Sequence, residues 1–102
     1  MATVHITLNR VQGLAPSHLP IIDSVPLDSV STTSSATDTD VSGIVGIVGM
    51  LWEVVVTGGN VYVAFGTDPN AGTDPGRHLV LDGERFNTRC LADGEEVSIK
   101  DA

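Results

Sequence analysis

Short runs of alternating apolar and polar residues, each closed by a turn signal, set the rhythm of this chain. Val4, Ile6 and Leu8 alternate with Thr3, His5 and Thr7. That is the period of a strand with one buried face, and it predicts a first strand over residues 3–8. Gly13, Pro16, Pro20 and Pro26 then punctuate the chain. Proline cannot donate to a ladder, so residues 13–27 are expected to be extended or looped, with at most edge pairing. Ile21, Ile22, Val25 and Leu27 could still lean on a core. Residues 29–42 are a Ser/Thr/Asp tract. Composition fits either a loop, above all at its centre, or a Thr-rich edge strand.

The longest apolar run is IVGIVGMLWEVVV, residues 44–56. A membrane span needs about 20 such residues, and Glu53 interrupts this one. A strand, or two strands with a bend, apolar on both faces, is the expected form. Two-sided burial implies the interior of a sandwich or a subunit interface. Ile44, Val45, Ile47, Val48, Met50 and Leu51 are therefore candidate interface residues. Gly43, Gly46 and Gly49 recur every third residue, without the GxGxxG spacing or the strand-turn-helix setting of a nucleotide site.

Residues 52–66 read as a hairpin across Gly58-Gly59-Asn60, because Gly and Asn accept the positive φ that tight turns need. Asp82-Gly83 is a second hairpin signal and Ala92-Asp93-Gly94 a third turn. Three further strands are expected at residues 78–81, 85–91 and 95–100. Trp52, Val54, Val56, Val61, Val63, Phe65, Leu79, Leu81, Val97 and Ile99 form the candidate core. The fold class is all-β, a small antiparallel β-sandwich or jelly-roll-like barrel of about seven to eight short strands. One domain is expected over residues 1–102, with a Pro/Ser/Thr-rich N-terminal half (13–43) and a compact strand-turn half (44–100).

Charge narrows the partners. Thirteen acidic residues face five basic ones, a net charge of −8. The arginines and lysine are scattered, so neither a nucleic acid nor an anionic membrane surface is an expected partner. A basic protein surface suits the chain better. The apolar fraction of 41% suffices for one core. With four aromatics, Trp52, Tyr62, Phe65 and Phe86, that core must be mostly aliphatic.

Candidate chemistry is sparse. Cys90 is the single cysteine, so neither an internal disulfide nor a zinc set can be built on cysteines. It is expected to be a small buried strand residue. His5, His18 and His78 lie outside any GxSxG or triad setting, and His5 and His78 are expected to face outward. Asp38 with Asp40, Asp68 with Asp74, and Asp93 with Glu95 lack the DxDxDG calcium pattern. They suit the turns themselves. No catalytic residue, cofactor site or metal site is assigned, and an enzyme is not expected.

The stretch VYVAFGTDPNA, residues 61–71, followed by LVLDGERF at 79–86 and GEEVSI at 94–99, resembles small virion proteins of tailed bacteriophages, of the head decoration or cement type. The match spans roughly the C-terminal half and carries no catalytic residue. It implies a β-sandwich that clusters, commonly as a trimer, on the outer surface of the head. It would bind the major capsid protein there and need no cofactor. A small carbohydrate-binding or host-surface module, head- or tail-associated, is the alternative.

Overall fold

A computed structural model describes residues 1–14, 20–22 and 27–102, with the backbone alone for 11–14 and 20–22. His18 and Val25 lie outside the described residues, as do the side chains of Ile21 and Ile22. No helix occurs among the described residues. Ten strands do: β1 (Thr3–Asn9), β2 (Val11–Leu14), β3 (Pro20–Ile22), β4 (Asp28–Thr33), β5 (Thr39–Val41), β6 (Leu51–Thr57), β7 (Val61–Gly66), β8 (His78–Val80), β9 (Arg85–Arg89) and β10 (Glu96–Asp101). One four-stranded sheet runs β4-β1-β6-β9 and a second runs β5-β10-β7-β8, while among the described residues β2 pairs with β3 alone. Every pairing is antiparallel. The chain is a small all-β sandwich.

The core lies between the two sheets. Val4, Ile6 and Leu8 from β1 and Trp52, Val54 and Val56 from β6 meet Val61 and Val63 from β7 and Val97 and Ile99 from β10. Each such side chain contributes about 1.5–3 kcal/mol by leaving water. Phe65, Phe86, Val30 and Met50 pack around them, partly buried. The Ser/Thr tract splits into two edge strands, β4 and β5, joined by a loop.

Two core assignments from the sequence are corrected: Leu79 and Leu81 are exposed, and Val80 is fully buried. The register gives the reason. Val61 pairs with Val80 and Val63 with His78, while Leu79 pairs with Tyr62 on the outer face. His-Leu-Val-Leu is apolar on both parities, so a one-residue slip inverts it without changing the pattern. His78 therefore turns inward, 4.4 Å from the Phe86 ring and 6.2 Å from Phe65, centroid to centroid.

The expected hairpin over residues 52–66 is also corrected. β6 and β7 belong to opposite sheets, so Gly58-Gly59-Asn60 carries the chain across the sandwich. The turns at Asp82-Gly83 and Asp93-Gly94 do the same between β8 and β9 and between β9 and β10. Their glycines keep the positive φ that tight turns require, +90° at Gly58, +80° at Gly83 and +83° at Gly94. Of the sandwich connections after β4, only β7 to β8 stays within one sheet.

That connectivity has a recognisable order. Counting the eight sandwich strands from β4 through β10 and ending on β1, the sheets read 1-8-3-6 and 2-7-4-5. This is the pairing order of the eight-stranded jelly roll, two Greek keys folded together. Here its last strand, β1, stands at the front of the chain. The Met1 ammonium lies 3.7 Å from the Asp101 carboxylate, so β10 ends beside the start of β1. Ser34 clamps the junction: it accepts from the Ala2 amide at 2.8 Å and donates to Asp101.

Residues 67–77 fold over the outer face of the second sheet. Ala71 is buried above Ala64 and Ser98, both themselves buried. Asp38 accepts from the Ala71 amide at 2.8 Å and from the Ser98 hydroxyl. Arg77 closes the loop, donating to the Gly72 carbonyl at 2.8 Å and lying 4.5 Å above the Tyr62 ring.

Two outcomes are expected. Val80→Asp should abolish cooperative unfolding, whereas Leu79→Asp should stay within about 0.5 kcal/mol of the parent in urea denaturation. A permuted chain, with Ala102 joined to Met1 by a short Gly/Ser linker and opened between β3 and β4, should keep the parent's far-UV circular dichroism.

Candidate functional site

One end of the sandwich differs from the other. Asn9, Leu51 and Arg89 stand in one cross-strand row. At this end, residues 42–50 cross from the second sheet to the first, and residues 90–95 cross back. The two crossings lie side by side, laced by backbone hydrogen bonds. Gly46 donates to the Glu95 carbonyl at 2.7 Å, Gly94 to Gly46 at 3.0 Å, Gly49 to Cys90 at 3.0 Å and Cys90 to Met50 at 2.8 Å. The Val48 amide donates to the Asp93 carboxylate at 2.9 Å.

Side chains lock the crossings from below. The Trp52 indole donates to the Glu95 carboxylate at 2.7 Å, and the Leu91 amide donates to its other oxygen at 3.3 Å. Glu95 is buried, and these donors satisfy it, as a buried carboxylate requires. Cys90 is fully buried beside them and donates to the Ala92 carbonyl at 3.2 Å. A β-carbon at Gly46 would stand 2.6 Å from the Cys90 sulfur, 3.0 Å from Trp52 and 3.1 Å from Glu95. Glycine at 46 is thus set by close packing. Gly43 and Gly49 instead hold φ of +87°.

Those two positive-φ residues explain a further correction. Residues 43–50 are not the expected strand but an irregular crossing, and β6 begins at Leu51. The run has one apolar side folded in and another left out. Ile44 is buried in the chain's own core and so does not fit the interface role assigned from sequence, while Met50 packs partly buried against that core. Leu51 is half-buried on the outer row of the first sheet. Val45, Ile47 and Val48 are 48–54% exposed, and Leu91 on the neighbouring crossing is 77% exposed. Sequence reasoning missed Leu91, Glu95 and Gly46. Leu91 stood at the end of an expected strand, and Glu95 looked like one more solvated acid.

The opposite end carries the tight turns at Gly58 and Gly83, with Met1 and Leu81 exposed beside them. No cluster of three or more His, Cys, Asp or Glu suited to a metal occurs among the described residues. Ser98 touches Asp38 but is fully buried. His5 faces outward, sharing a 2.8 Å hydrogen bond with Ser31. The arrangement offers apolar side chains on a hydrogen-bonded frame. The chain matches no protein-family model, and neither a curated protein nor a solved structure matches it.

The lock is testable. Gly46→Ala should destabilise by about 1–3 kcal/mol through overpacking. Cys90→Ala removes its nearest neighbour, so the double variant should recover part of that loss in a thermal double-mutant cycle. Burial, and secondarily the Glu95 carboxylate, push the Cys90 thiol above its ordinary value of 9.0. The folded protein thus resists ionisation that the unfolded chain accepts. This contribution is fully present below pH 9 and is lost as pH rises through the folded value. The stability of the parent should therefore fall more steeply above pH 9 than that of Cys90→Ala.

Proposed function

We propose that this protein is a structural virion component, a decoration or cement protein on the outer surface of a tailed-phage head. It docks on the major capsid protein and reinforces contacts between capsid subunits. The observation that carries the reading is the laced end, where Val45, Ile47, Val48 and Leu91 are exposed together on a hydrogen-bonded frame. Neighbouring apolar side chains held out of the core mark interaction surfaces on soluble domains. A frame fixed before contact loses little conformational entropy on docking. The resemblance of residues 61–71, 79–86 and 94–99 to decoration proteins supplies the class of partner.

Two further facts support this reading over a carbohydrate-binding module. Sugar platforms use exposed aromatic faces. Here Trp52 is fully buried, Phe65 and Phe86 pack on the core, and Tyr62 lies under Arg77. A net charge of −8 also disfavours a position against packed DNA and suits basic ground on the shell exterior.

Ile47→Asp and Val48→Asp should each leave the melting temperature nearly unchanged, because these side chains are about half exposed. Each should weaken binding to heads stripped of this protein at least about tenfold, equivalent to ~1.4 kcal/mol. Co-sedimentation reads the affinity, and density on the particle reads the location. Parent-like binding by both variants, or density inside the shell or on the tail, would overturn the proposal. Raising salt from 0.1 to 1 M should weaken the rim contacts and leave an apolar component, since screening shortens from about 10 to 3 Å.

A further inference from the structure

Strand β9 is one margin of the first sheet, with β6 beside it and, among the described residues, no strand on its other side. Its hydrogen-bonding phase is fixed at both ends. Val56 donates to the Glu84 carbonyl at 3.3 Å, and Cys90 donates to the Met50 carbonyl at 2.8 Å. In an antiparallel ladder, alternate residues bond a given neighbour. Phe86 and Thr88, in phase with Glu84 and Cys90, therefore bond toward β6. The N–H and C=O groups of Arg85, Asn87 and Arg89 point off the sheet. Among the described residues no turn or loop main chain bonds them, and all three residues are exposed.

The side chains give this edge a sign. Phe86 packs on the core, so Arg85, Asn87 and Arg89 share the outer face. Two of the chain's five basic residues thus stand on one bare edge, in a molecule of net charge −8. Arg85 has Glu53 at 3.9 Å with its own side chain 65% exposed, and Arg89 has no ion-pair partner among the described residues. The other sheet margins differ: β4 carries Asp28, β5 carries Asp40, and β8 is His78-Leu79-Val80. Charge on an edge opposes pairing with a like edge. Two β9 strands side by side would set arginine against arginine, which is destabilising, whereas opposite charges across a strand pair attract.

We propose that β9 receives an extended acidic segment of another protein as a fifth strand of the first sheet. Added antiparallel, like the strands already there, the segment bonds the outward main chain of Arg85, Asn87 and Arg89. It places Asp or Glu opposite both arginines and a polar residue opposite Asn87. The two residues between, beside Thr88 and Phe86, are apolar. Proline is excluded at the three positions whose N–H must donate. This edge is not the Val45, Ile47, Val48 and Leu91 patch, and the inference does not rest on the cement reading.

The probe is a fluorescein-labelled peptide, Ser-Glu-Val-Thr-Val-Glu-Ser, titrated with the full chain at low salt and read by anisotropy. Saturable binding is expected below about 1 mM. Exchanging both Glu for Lys should weaken it at least about tenfold. N-methylating the Glu and Thr amides, which face the edge, should do the same, and N-methylating the two Val amides should not. Arg89→Glu, with parent-like circular dichroism, should lose the Glu peptide and take the Lys peptide instead. In hydrogen exchange the peptide should slow the amides of Arg85, Asn87 and Arg89 and leave those of Phe86 and Thr88 unchanged. Ile47→Asp should bind the peptide like the parent, and loss of binding there overturns the assignment to β9. No binding by the parent, equal binding of the Glu and Lys peptides, or equal harm from either methylation pattern overturns the proposal. So does a parent dimer that the peptide competes apart, because a second copy then holds the edge.

Discussion

The hydrogen bond from the Trp52 indole to the Glu95 carboxylate is the contact on which the distinctive end of this molecule depends. Trp52 belongs to the first sheet and Glu95 to the crossing that enters the second. The bond joins the sheets where the chain passes between them twice. A buried carboxylate is tolerated only with donors on its oxygens, and the indole and the Leu91 amide provide them. Gly46 fits against this group because it has no side chain. Cys90 fills the remaining space. Once these four residues are in place, the backbones of the two crossings are close enough to lace.

Lacing explains how apolar residues come to stand in water on a fixed frame. An unsupported loop with Val45, Ile47 and Val48 would fold them inward or sample many arrangements. Here the inward places are taken by Ile44 and Met50, and the hydrogen bonds of Gly46, Gly49 and Cys90 set the path between them. The far end is built differently. Ser34, Asp101 and the first residues tie the strands there through polar contacts. The two ends are therefore built differently, one with exposed apolar side chains on a laced frame and one tied by polar contacts.

The jelly-roll pairing order adds a constraint on where extra structure can go. Placing β1 at the front of the chain leaves residues 10–27 to connect β1 with β4, neighbours in one sheet. The Leu27 amide bonds the Leu8 carbonyl at 2.8 Å, so the connection leaves and returns at nearly one point. A ribbon can grow there without disturbing the sandwich, and it does so at the laced end.

The sequence by itself determined the local alternation and the turns. Val4, Ile6 and Leu8, then Trp52, Val54 and Val56, then Val61 and Val63, and Val97 and Ile99 could be read as inward faces because each alternates or fits a pleated, half-buried surface. Glycine and asparagine marked the reversals correctly. What those reversals connect was not legible, since a tight turn with positive φ serves a hairpin and a sheet-to-sheet crossing alike. The tertiary structure decided that Gly58-Gly59-Asn60 crosses the sandwich. It also chose the parity of residues 78–81, where both faces are apolar and only pairing with Val61 and Val63 selects Val80 and His78. It divided residues 44–51 between core and surface, because that division follows from Gly43 and Gly49 in the left-handed region and from the room Gly46 leaves for Cys90. Glu95 became a structural group for the same reason: its partner Trp52 lies 43 residues away, and only the packing of one sheet on the other brings them together.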